Sequence, residues 1–251
     1  MALPSSLRQA GTVAKYELWK HLKGWRLIGL IMLVTVFSVL AVKGMEGAGS
    51  AVAFSKGFFF MPAYFLITVA GVVLGGDVLA SEFERKTGYL LFSNPMRRVT
   101  LVAGKFTASF ISVLLMISIF FLTGILFMLN TYGEVPATLL GSLGLAILYG
   151  CAVLSLTLFF SSTMGGTGAT MFSFFTFFLI MPFFQAFLLN QVGVEPWYLL
   201  TYTSGTIGAF IDPSGTYYAH PDFTVSVLVM SAYLIGALIL CTIATKRREM
   251  R

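Results

Sequence analysis

Sixty consecutive residues, Val135 to Val194, carry no charged side chain. A water-solvated fold cannot contain such a run, because about one residue in four of a soluble domain is charged. Over all 251 residues only 10% are charged and 57% are hydrophobic, with a mean hydropathy of +0.89. Crossing roughly 30 Å of hydrocarbon takes about 20 apolar residues in a helix. A charge at the centre of that helix costs about 2.5–3.5 kcal/mol. Uncharged runs therefore mark the spans, and the chain reads as an all-α integral membrane protein.

The runs are Leu27–Val42, Gly57–Gly76, Phe106–Gly133, Val135–Val194, Pro196–Ile211 and Phe223–Thr245. The longest must fold back, and Ser161–Gly168 (Ser-Ser-Thr-Met-Gly-Gly-Thr-Gly) is its one stretch of strong turn chemistry. Pro196–Ile211 holds Thr201, Thr203, Ser204, Gly205, Thr206 and Gly208, and is too polar for a span. It reads as an interfacial or re-entrant piece. The expectation is one membrane domain, 1–251, with six transmembrane helices at about residues 26–43, 57–77, 106–129, 138–160, 169–189 and 223–245.

Charge fixes the count. Six spans with both termini in the cytoplasm leave fourteen of the sixteen Lys and Arg residues inside, and only Lys43 and Lys56 outside. A seventh span would send Lys246, Arg247, Arg248 and Arg251 outside, against the positive-inside tendency. The net charge of +6 thus reports topology in a plasma membrane, with anionic lipid headgroups rather than nucleic acid as partners. Small residues at Ala48–Ala51 follow the first run, but the leader before that run is too long for a cleaved signal. Residues 190–222, with Trp197, Tyr198, Tyr202, Tyr217 and Tyr218, form an extracellular segment whose aromatics suit an interface belt.

Two water-facing pieces stand out. In residues 7–25, Leu7, Ala10, Ala14, Leu18, Leu22 and Trp25 recur at helical spacing opposite Arg8, Lys20 and Lys23. That pattern predicts an amphipathic helix in the inner headgroup plane. In the loop 79–98, Phe83, Leu90 and Leu91 sit among Glu82, Glu84, Arg85 and Lys86. Ser81 and Glu84 have capping-box spacing, and Pro95 ends any helix there. A short helix with exposed apolar groups beneath the bilayer suits docking to a cytosolic partner; a plain hydrated connector is the other reading.

The membrane interior is also informative. Its nearest acid is Asp77, at the inner end of the second span, so a mid-membrane ion relay is missing. There is no Thr-Val-Gly-Tyr-Gly filter, no Ser/His/Asp constellation and no phosphate-binding loop. Two histidines, and cysteines only at 151 and 241 inside apolar runs, offer no metal site. The chain reads as no enzyme, with no catalytic residue, no metal and no cofactor of its own. Polar positions that could line a path are Tyr64 and Thr68 in span two and Ser173, Thr176 and Gln185 in span five, near Pro62 and Pro182. Interhelical packing is the alternative role, and Gly71-Val-Val-Leu-Gly75 fits packing or dimerisation.

The loop Glu82-Phe-Glu-Arg-Lys-Thr-Gly-Tyr-Leu-Leu-Phe-Ser-Asn-Pro-Met-Arg-Arg98, followed by Gly104-Lys105-Phe106, resembles that of type-2 ABC exporter permeases. The basic elbow, the six spans and the Phe-Ser-Ser turn at 160–162 are similar too. Lys86-Thr87-Gly88 inverts the Gly-Thr order of many members. The resemblance implies a coupling helix built from Glu82, Glu84, Arg85, Lys86, Thr87, Gly88, Tyr89, Leu90, Phe92 and Pro95, docked on a separate ATPase. Ser161, Ser162, Thr163 and Gly165 would form a second, smaller contact. It also implies two ATPase subunits holding ATP and Mg, a second permease chain (identical or different), and a path near Tyr64, Thr68, Thr176 and Gln185. The expected function is export of an amphipathic, lipid-like or drug-like substrate. A non-transporting scaffold or assembly factor, and an ATP-independent channel or lipid scramblase, are the rival readings of the same residues.

Overall fold

The computed structural model describes residues 6–84, 98–211 and 221–247, which form helices and connecting turns without strands. Helix α1, Ser6–Lys23, meets α2, Trp25–Gly44, through Gly24 alone. Gly24 is extended (φ −83°, ψ 138°), and a Cβ there would lie 3.1 Å from the Lys20 carbonyl oxygen. One residue thus turns an interfacial helix into a spanning one.

Span two is built in two pieces, α3 (Ala51–Phe59) and α4 (Met61–Gly75). Ser50 caps α3 by accepting the Ala53 N–H at 3.2 Å, and Pro62 sits in the first turn of α4, where no N–H is needed. The charge rule places this span's start at Gly57, whereas the helix begins at Ala51 and carries the half-buried Lys56 within it. A long Lys stem can follow apolar surface while its ammonium reaches the interface. The short helix α5, Ala80–Glu84, follows after a turn.

Helix α6, Arg98–Thr131, has 34 residues, or about 51 Å at 1.5 Å each. It begins eight residues before the expected Phe106, because Lys105 lies inside the helix with its charge paired. Helix α7, Leu139–Thr163, and helix α8, Gly166–Val192, are separated only by Met164 and Gly165, so the turn is much shorter than Ser161–Gly168. Within α8, Thr176–Ile180 and Leu188–Val192 widen to i→i+5 hydrogen bonding. Pro182 accounts for the first, since it removes a donor and its ring crowds the preceding turn. Gly193, at φ +70°, ends the helix in the left-handed region.

Helices α9 (Leu200–Thr203) and α10 (Thr206–Ala209) are single turns, and α11, Phe223–Arg247, returns across the membrane against α7. Among the described residues six helical stretches are long and apolar enough to cross, and residues 196–211 are not among them. That polar piece folds back into the protein instead. Ser142 donates to the Ile207 carbonyl at 2.7 Å, Thr206 bonds Ser226 at 2.7 Å, and Gly208 lies against the Phe60 ring.

The core is aromatic and glycine-lined. Phe58 stacks on Phe120 at 4.7 Å and Phe59 lies 4.5 Å from Phe121. A Cβ on Gly71 would meet Val153 at 2.8 Å, and one on Gly75 would meet Leu154 at 2.8 Å. The Gly-xxx-Gly pair therefore brings α4 against α7 of the same chain, which settles its role as packing.

Candidate coupling site

The basic end of the bundle gathers the chain's buried charge. Lys105 is only 1% exposed. Its ammonium donates to Glu17 Oε2 on α1 at 3.1 Å, to Glu82 Oε1 on α5 at 3.1 Å, and to the Val78 carbonyl at 2.8 Å. Three donors thus meet three acceptors from three parts of the chain. Glu17, 6% exposed, also pairs with Lys20 at 2.9 Å. Burial works to raise the Glu17 carboxyl, but Lys105 and Lys20 together hold it below its ordinary 4.5. His21, its ring nitrogen 3.1 Å from Ser112 Oγ, is pushed below 6.5 by burial despite the Glu17 charge.

Glycine permits this convergence. A Cβ on Gly104 would meet the Ala10 carbonyl oxygen and the Val13 side chain at 2.8 Å, so α1 lies directly on the start of α6. The face of α1 that packs is therefore Ala10, Val13, Glu17 and His21, while Leu7, Leu22 and Trp25 are exposed. The amphipathic reading found an apolar lipid-facing side but treated α1 as free of the bundle. Glu17 was missed altogether. An acid among the lysines of an interfacial helix is its one sequence signal.

Beyond α4, Asp77 pairs with Arg26 of α2, and Ser161 Oγ of α7 accepts the Leu79 and Ala80 N–H groups at 3.1 Å each. Ser161 and Ser162 are buried. This corrects their assignment to a surface contact, since Ser161 instead anchors the backbone leading into α5. Thr163 and Gly165 remain exposed at the turn. Arg98 donates to the carbonyls of Thr245 and Lys246 at 2.6 and 2.7 Å, tying α6 to the end of α11. A cavity of about 530 Å³ opens here between α1 and α4, lined by Lys20, Trp25, Arg26, Asp77 and Glu82. Of the coupling residues read from sequence, Glu82 lies in this cluster. Arg85, Lys86, Thr87, Gly88, Tyr89, Leu90, Phe92 and Pro95 lie outside the described residues, and the Glu84 side chain is likewise outside them.

The four path residues separate. Tyr64 donates to the Phe177 carbonyl at 2.7 Å, and with Gln185 lines a cavity of about 350 Å³ between spans two and five. Thr68 is fully buried, 2.8 Å from the Tyr149 hydroxyl, and Thr176 donates to the Phe172 carbonyl of its own helix. Neither is among the residues that line the cavity with Tyr64 and Gln185.

Six candidate spanning helices among the described residues, a basic elbow and an ion-paired junction at the end of span two define a polytopic membrane protein. The chain belongs to the ABC-2 family of transporter proteins, whose profile matches residues 11–250. It is also 28% identical over 213 residues to a Pseudomonas aeruginosa protein described as "Probable ABC transporter permease protein NosY", covering 75% of this chain and 76% of that one. It is thus a transporter permease subunit, and in this family ATP hydrolysis resides on a separate subunit.

Proposed function

We propose that this chain forms the membrane half of an ATP-driven exporter and receives its driving force through residues 79–98. Two ATPase subunits and a second permease chain would complete the assembly, with the basic end in the cytoplasm of the plasma-membrane-bound complex. The observation that carries this reading is the Lys105 junction. Separating a buried ion pair costs about 3–5 kcal/mol, so a load applied at α5 moves α1 and the start of α6 with it. Asp77–Arg26 passes the same displacement to α2. Rigid tilting of spans one to three against a partner permease would then change which side the path between spans two and five opens to. The Phe-rich, uncharged surroundings of Tyr64 and Gln185 favour amphipathic, lipid-like or drug-like cargo.

Co-purification tests the reading. Tagged protein should bring down a Walker-motif ATPase at near-equal stoichiometry. Glu82→Lys with Glu84→Lys should release it while membrane insertion persists, and Glu84→Lys alone, which leaves the Lys105–Glu82 pair, should weaken it. Undiminished ATPase capture by both variants would overturn docking through this segment.

A further inference from the structure

Spans two and five meet along a seam with a cavity at either end. The one already described, about 350 Å³, lies towards the 196–211 segment and is lined on α8 by Pro182, Gln185 and Asn190. Another, of about 660 Å³, opens at the basic end, where Arg26, Asp77 and Ser81 lie across from Thr167, Met171 and Phe175 of α8. Along α8 the lining residues end at Phe175 and resume at Pro182, and Phe177 falls between the two sets. There the Tyr64 hydroxyl of span two donates to the Phe177 carbonyl at 2.7 Å.

Proline and the widened turn explain why that acceptor is open. The α-helical donor for the Phe177 carbonyl is the N–H of residue 181, four positions on. Where α8 widens, Met181 gives its N–H to Thr176 instead. The donor for a widened turn would be residue 182, which is proline and has no N–H. Neither register serves this carbonyl from its own helix, and the bilayer core holds no water to do so. Tyr64 supplies the missing bond from the neighbouring span.

Helix α8 is placed to move about this point. It is the least buried of the six candidate spans among the described residues. Towards the basic end Gly76 admits α8 closely: a Cβ there would lie 2.9 Å from the Thr170 Cα. Such a contact is a fulcrum, because backbone on backbone can rotate but not separate without opening a void. The hydrogen bond, by contrast, is either made or broken.

We propose that the Tyr64–Phe177 bond is the latch of this seam: made, it keeps the two cavities apart; broken, it lets α8 pivot at Gly76–Thr170 and join them. A tilt of span two carries Tyr64 off the carbonyl, so the push received at α5 and the opening of the seam become one event. The passage of cargo through the opened seam rests on the export reading above. The latch itself does not, and its test needs neither ATPase nor cargo.

Ser173 is fully buried and lies three and four positions from Thr170 and Phe177, on the same face of α8. Ser173→Cys, with Cys151→Ala and Cys241→Ala, leaves a single thiol there. The purified full-length chain in nanodiscs is treated with the water-soluble reagent methanethiosulfonate-ethyltrimethylammonium, and labelling is followed by mass spectrometry. Tyr64→Phe removes the donor. Pro182→Ala restores a helix donor, which serves the Phe177 carbonyl itself or lets Met181 return to it. Each should speed labelling by about two- to tenfold, the range of one neutral hydrogen bond. Their thermal midpoints should move in opposite directions, down in Tyr64→Phe and up in Pro182→Ala, since proline within a helix is destabilising. Tyr149→Phe, which loses a buried bond to Thr68, should lower the midpoint without speeding labelling. A bond that only stabilises the fold would make labelling follow the midpoint. An unchanged rate in Tyr64→Phe, slower labelling in Pro182→Ala, or equal acceleration in Tyr149→Phe would each overturn the latch.

Discussion

The two ends of this bundle are held together by different physics. At the basic end, buried Lys105 and Glu17 meet half-buried Glu82, and the partners come from three separate helices. At the opposite end, contacts between helices are made by rings, glycines and hydroxyls. Gly141 and Gly208 give way to the rings of Phe210 and Phe60, and hydroxyls close the re-entrant segment onto α7 and α11. Buried charges have few good arrangements and lose much when one partner goes. Close packing of rings on glycines tolerates small shifts and fails by degrees. The contrast suits a machine in which one end must transmit a push and the other must be free to repack.

The sharpest way to break the contrast is Lys105→Met. It retains the length of the side chain but strands the buried Glu17 carboxylate and the half-buried Glu82, and should destabilise the purified protein by about 3–5 kcal/mol in thermal denaturation. Should Lys105→Met with Glu17→Gln and Glu82→Gln recover most of that loss, the charges and not the volume are responsible. At the other end, Gly141→Ala would drive a Cβ into the Phe210 ring. Overpacking of this kind costs about 1–3 kcal/mol, and Phe210→Leu in the same chain should relieve part of it.

The smallest effect is a pH dependence confined to the basic end. The folded pKa of His21 lies below 6.5 and that of Glu17 below 4.5, so in both cases the unfolded state binds the proton more readily. Stability is then full above pH 6.5, falls first as His21 is forced to protonate, and falls again as Glu17 does. Thermal midpoints between pH 8 and 4 should show this decline. It should vanish from the His21 range in His21→Gln, and Gly141→Ala should leave the shape of the profile unchanged.

The number of spans was legible because lipid enforces it: a helix either is apolar over its length or does not cross. The polar 196–211 piece was legible as a non-span on the same ground. Helix ends were read less well, and for one reason. Lys56 and Lys105 look like boundaries in a charge map, yet Lys56 rides within α3 and Lys105 is neutralised inside α6 by two acids distant in sequence. Ser161 likewise has turn chemistry in sequence and an anchoring role in space.

Sequence alone therefore determined that this protein lives in a bilayer, how often it crosses, and that no charge sits midway to power it, since each follows from the free energy of placing residues in hydrocarbon one helix at a time. Only tertiary structure decided that Glu17 belongs with Lys105 and that Thr68 bonds Tyr149. Those depend on which helix faces which, and Glu17 and Lys105, 88 positions apart, or Thr68 and Tyr149, 81 apart, leave no periodic trace in the chain.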